Sequence, residues 1–132
     1  MNDPTTPRGG TVEPAPMEAG DPTATDPDKY RTVLENEHVR VLEYRDTPGA
    51  LSHPHRHPDS VMYTLSSFDR RLHFSDGSRD VAMSAGQAIW LPAQVHYGEN
   101  TGTTDTHVLF VELRGTDSLP AQTKDAGPSS TA

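Results

Sequence analysis

The chain has no cysteine. Disulfides, thiolate metal sites and thiol nucleophiles are therefore excluded. Apolar residues are sparse at 32% of the 132 residues, and no apolar run approaches the ~20 residues that a membrane-spanning helix needs. Lys and Arg number 11 against 19 Asp and Glu, a formal net charge of -8, and the basic residues are nowhere clustered. A surface that tracks phosphates requires such a cluster, so nucleic acid is not an expected partner. Met1-Asn2-Asp3-Pro4 shows neither a basic start nor an apolar stretch behind it. The expectation is a cytoplasmic protein without a secretory signal.

What is present is unevenly spread. Residues 1–28 carry Pro4, Pro7, Pro14, Pro16, Pro22 and Pro27 among Thr, Gly and acidic residues, and residues 116–132 end in Gly127-Pro128-Ser129-Ser130-Thr131-Ala132. Neither stretch has the apolar content to offset the entropy of ordering, so both are expected to be flexible tails. The folded unit is expected over residues 29–115, a single domain within the size range that folds alone.

Inside that unit no stretch keeps a helical period, whereas short apolar runs alternate with turn signals. Residues 38–46 alternate as a strand and Thr47-Pro48-Gly49 turns the chain. Val61–Leu65 and Arg70–Phe74 follow, and Asp76-Gly77 marks a tight hairpin into Arg79–Met83. Ala88–Leu91 and Thr106–Leu113 complete the series. With Leu51-Ser52 and the histidine stretch counted, seven or more short strands with Gly and Pro turns predict an all-β fold, either a sandwich or a closed barrel.

The most informative stretch is His53-Pro54-His55-Arg56-His57-Pro58. Side chains two apart on an extended chain point the same way, with Cα atoms roughly 6.7 Å apart. Both imidazoles of such a pair can converge on one ion at distances of about 2.0–2.1 Å. His96, at the end of a strand, can complete a face, and His53 shares the parity of His55 and His57. Neutral imidazoles suit Fe, Zn, Ni and Cu. A Pro-flanked histidine tract can also be an exposed loop with incidental metal affinity. His38, His73 and His107 require no role beyond surface or strand positions, and Arg56 faces away from the histidines by parity.

Gly49-x5-His55-x-His57 resembles the opening of the first cupin motif, and Gly86-x5-Pro92 followed by His96-x3-Asn100 is similar to the second. The two blocks and their strands span about residues 49–114. The resemblance is to small single-domain bacterial cupins. It implies a small β-barrel, the double-stranded β-helix or jelly roll, with His55, His57 and His96 as ligands of one divalent metal (Fe, Zn, Ni or Mn). Val61 or Met62 stands where the motif has a glutamate, Gln94 replaces a motif glycine, and the Pro92–His96 gap is one residue short. His53 is a candidate fourth ligand in compensation. Met62 and Thr64 are expected on the interior wall. Tyr63 and Tyr97 are candidate proton donors or substrate contacts, and Glu99 a candidate partner for His96.

Three functions follow from the resemblance. One is a metal-dependent enzyme acting on a small organic molecule, of oxygenase, isomerase, lyase or cyclase type. The second is a non-catalytic binding or sensing module, and the third a metal-independent enzyme using His and Tyr as base and acid. The resemblance also implies a homodimer formed through edge strands around Tyr30–Asp46.

Overall fold

The computed structural model describes residues 18–115. One helical turn, α1 (Pro22–Thr25), precedes nine strands: β1 (Tyr30–Glu35), β2 (Val39–Asp46), β3 (His55–His57), β4 (Ser60–Thr64), β5 (Phe68–Phe74), β6 (Gly77–Met83), β7 (Ala88–Leu91), β8 (Gln94–Asn100) and β9 (Thr106–Leu113). They form two antiparallel sheets, β1-β2-β9-β4-β7 and β3-β8-β5-β6. Among the described residues no helix is long and apolar enough to cross a membrane.

The two sheets face each other because their strands alternate. β9 reads buried at every second residue from Thr106 to Glu112, and β8 does so from His96 to Asn100. Leu42, Tyr44, Phe68, Val108, Phe110 and Tyr30 meet in the core, with Met62, Met83 and Leu91 packed against them. Fully burying a side chain such as Leu42 contributes roughly 1.5–3 kcal/mol. The turns follow local chemistry. Asn36 accepts from the backbone N–H of His38 and Val39 at 2.7 and 2.9 Å to reverse the chain between β1 and β2. In the β5–β6 hairpin Phe74 pairs with Gly77, whose φ of 147° favours glycine.

The described part of the expected N-terminal tail differs from that expectation. Asp21 caps α1 by accepting from Thr23 N–H at 3.0 Å, Gly20 bridges to His55, and Asp26 is buried. Pro22 sits in the first helical turn, where its missing N–H costs nothing, and is itself buried. Residues 18–28 thus pack on β3 despite a composition poor in apolar groups, held by polar contacts that composition does not reveal. Residues 1–17 and the C-terminal tail from 116 lie outside the described residues.

Candidate metal centre

The alternation of β3 buries His55 and His57 and exposes Arg56 between them. β3 pairs with β8 so that His55 stands directly opposite His96. The short gap after Pro92 does not turn His96 away, because β8 begins at Gln94 and its even-numbered residues face inward. The three ring centroids lie 4.7, 5.0 and 5.3 Å apart, and one ligand atom from each ring falls within 4.8 Å of the others.

Hydrogen bonds orient two of these rings. His57 Nδ1 donates to Glu112 Oε2 at 3.2 Å, which turns Nε2 away from the carboxylate. Glu112 is held in turn by Arg40 Nε at 2.8 Å, and Arg40 by Asp21 at 2.7 and 3.2 Å. His55 Nδ1 donates to the His53 carbonyl at 2.8 Å, so its Nε2 faces the Tyr30 hydroxyl at 3.3 Å. A carboxylate or carbonyl behind an imidazole is the arrangement that fixes metal-ligating histidines.

Burial, and secondarily the neighbouring His57, pushes His55 down to about 4. Burial followed by His57 and His55 pushes His96 down to about 2. Both are therefore neutral at ordinary pH, the state a metal ligand requires. His57 Nε2 and His96 Nδ1 are buried without a hydrogen-bond partner among the described residues. Such an atom costs about 1–3 kcal/mol, and native structures seldom keep two side by side without a use. Three imidazoles that converge on one point, two of them held from behind and two with a buried nitrogen left unsatisfied, fit a divalent metal ion.

A cavity of about 110 Å³ adjoins the histidines between the sheets. His55, His96 and Tyr30 stand on its polar side, and Met62, Val81, Ile89 and Phe110 are among its apolar walls. It is smaller than the ~300–1,000 Å³ that drug-sized ligands occupy. Tyr30 stays protonated, since burial and then Tyr44 raise its pKa well above the usual value.

Four sequence-based candidates lie elsewhere. His53 is not in the cluster: its side chain is 73% exposed, and Asp26 binds both its Nδ1, at 2.9 Å, and its backbone N–H, at 3.0 Å. The strand begins only at His55, after Pro54, so residue 53 does not share its alternation. Tyr63 lies on the outer face of β4, 42% exposed. Tyr97 points outward from β8 and stacks on His73 with ring centroids 4.6 Å apart. Glu99 binds His73 at 3.3 Å rather than His96. Alternation would have excluded both tyrosines, because Met62 and His96 face inward and their immediate neighbours must face out. Tyr30 and Glu112 were missed. Glu112 had a signal, since it continues the inward register of Val108 and Phe110.

No family model matches the sequence. Among curated proteins, the chain is 36% identical over 81 residues to the beta-alanine degradation protein BauB of Pseudomonas aeruginosa, covering 60% of this chain and 83% of that relative. Among solved structures, a cupin domain from Bordetella pertussis Tohama I superposes with a TM-score of 0.63 at 23% identity, covering 75% of this chain and 99% of the other. An uncharacterized conserved protein with a double-stranded β-helix domain, from Klebsiella pneumoniae subsp. pneumoniae MGH 78578, gives a TM-score of 0.52 at 21% identity, covering 67% and 75%. At these identities the structural likenesses speak to the fold alone.

Proposed function

The chain belongs to the cupin superfamily, in the family of BauB, and from that premise we propose that it is a metal-dependent enzyme acting on a small organic molecule. His55, His57 and His96 hold the ion in this reading. The observation that carries it is the pair of buried imidazole nitrogens, His57 Nε2 and His96 Nδ1, that have no partner among the described residues. When bound, a divalent ion there supplies Lewis acidity, and redox capacity if it is iron.

The chain's own residues do the rest. Glu112 holds the proton on His57 Nδ1 and keeps Nε2 aimed inward. Tyr30 is positioned to donate its hydroxyl proton to a ligand beside His55. The apolar wall of Met62, Val81, Ile89 and Phe110 keeps water from the reacting end of that ligand. BauB is named for beta-alanine degradation, which favours turnover of a metabolite over passive binding. Oxygenase, isomerase, lyase and cyclase chemistry are all compatible with these parts, in a cytoplasmic setting.

Two observations favour other readings. Met62 lines the cavity near the place where the motif's carboxylate would stand, which supports a binding or sensing module. The Tyr30–His55 contact supports acid–base chemistry without metal. A homodimer is also part of the proposal. β1 is a sheet edge, and Leu34, Val41, Val111, Val61 and Trp90 pair in one unbroken apolar row across the outer face of the five-stranded sheet. Sedimentation of the wild type against Trp90→Lys checks it, with dissociation expected in the variant.

The test of function is metal analysis by mass spectrometry of protein purified without a histidine tag. Near-stoichiometric metal is expected. Iron directs oxygen-uptake screens, whereas zinc, nickel or manganese directs screens for isomerised, eliminated or cyclised products. Failure to take up any of these ions, or turnover that survives chelation, would overturn the reading.

A further inference from the structure

Three arginines share the inward register of their strands, and two of them are matched by inward carboxylates. Arg40 binds Glu112 and Asp21, and Arg70 binds Asp46 at 2.7 Å. The third, Arg79 on β6, is exposed to solvent on one side, lines the cavity on the other and stands opposite Leu72 of β5. Its guanidinium lies over the Phe74 ring at 5.5 Å, and Phe74 in turn meets His96 edge-on at 5.9 Å. No carboxylate pairs with Arg79 among the described residues. No Asp or Glu side chain lines the cavity at all.

We propose that Arg79 is the anion-recognition residue of this cavity and that its ligand is a small monocarboxylate with an apolar body. The inference rests on the reading above in taking the cavity as the ligand site, and it names the ligand's chemical class. A guanidinium presents a planar fork of donors that matches a carboxylate with two parallel hydrogen bonds. Seating on Phe74 limits the rotamer freedom lost on binding. Beyond the fork, Leu72, Val81, Met83 and Ile89 offer only apolar surface. An alkyl chain gains there, whereas a second charge would lie unpaired. With no carboxylate in the lining, an anion entering the cavity meets no like charge there.

The test uses the full chain, metal-free and zinc-loaded, in 1H–15N chemical-shift titrations. The probes are straight-chain carboxylates from acetate to hexanoate, each paired with its neutral amide. The wild type is expected to bind the carboxylate over the amide by about tenfold or more, as a charge-assisted hydrogen bond implies. Arg79→Gln is expected to lose that preference while taking up zinc as before, and Arg79→Lys to regain part of it. Arg71→Gln, which removes an exposed cation paired with Asp80 on the outer side of β5, should leave the preference intact. Equal binding of acid and amide by the wild type, binding of no member of either series, or an undiminished preference in Arg79→Gln would each overturn the proposal. A carboxylate preference that depends on Arg79 in a chain that takes up no metal would overturn the metal reading and leave this one standing. Stoichiometric zinc uptake without the preference would do the reverse.

Discussion

Two buried polar clusters share this barrel, and they differ in how completely their groups are satisfied. Around Arg70 the partners close on themselves. The guanidinium donates to Asp46 at 2.7 Å, to Thr106 at 3.0 Å and to the Tyr44 hydroxyl at 3.2 Å. Tyr44 donates to Asp46, and Asn100 donates to Asp46 at 3.1 Å. Even the backbone makes room, since a Cβ on Gly98 would come within 2.5 Å of the Arg70 guanidinium. Around the histidines two bonds run backward, to Glu112 and the His53 carbonyl, and Tyr30 meets His55 Nε2, but His57 Nε2 and His96 Nδ1 are left without a partner among the described residues. A closed network specifies a fold, whereas an open one has capacity left for a ligand. The first cluster is therefore read as structure and the second as site.

The largest effect that separates them is on stability. Arg70→Met leaves Asp46 buried without its counter-charge and should cost about 3–5 kcal/mol in urea unfolding. His57→Phe removes an unsatisfied nitrogen and keeps a ring that stacks on Phe110; it takes one donor from Glu112, whose charge stays paired with Arg40, so the metal-free protein should lose only about 1–3 kcal/mol. Similar losses in the two variants would erase the contrast. Next comes the support behind the site. Glu112→Gln should weaken zinc binding by about 10–100-fold in competition with a chelator, with zinc stoichiometry retained at saturation.

The contrast also has a pH signature in the metal-free protein. The folded His55 takes a proton only near pH 4 and His96 only near 2, against an ordinary value of 6.5 in the unfolded chain. Between these limits the unfolded state binds more protons than the folded one, so stability rises with pH. Stability should be full above about 6.5 and should fall as pH is lowered through about 4. Thermal unfolding across that window, with His55→Gln and His96→Gln flattening the slope, checks the sign. The smallest effects belong to the outward tyrosines. Tyr63→Phe and Tyr97→Phe should each change stability by no more than ~0.5 kcal/mol and leave zinc binding unaltered.

Much of this was legible in the chain. The spacing of His55 and His57 survives as a shared inward direction because a strand alternates whatever its neighbours are. The Asp76-Gly77 turn and the runs of β7 and β9 are local chemistry and stand where they were expected. What sequence could not supply was register between distant strands. Glu112 reaches His57 from 55 residues away, and Tyr30 reaches His55 from 25. Both contacts cross from one sheet to the other, from β9 and β1 to β3, which no single segment encodes. The errors were local as well. His53 was assigned by a parity that Pro54 and Asp26 break, and the stretch around α1 looked like tail because its anchors are polar.

The central claim is that the open cluster takes a single ion through three histidines. Calorimetric titration of metal-free protein with zinc tests it most directly. One zinc per chain in the wild type and in His73→Ala, with binding lost in His57→Ala, is the predicted result. Equal losses in His57→Ala and His73→Ala, or zinc binding undiminished in both, would contradict it.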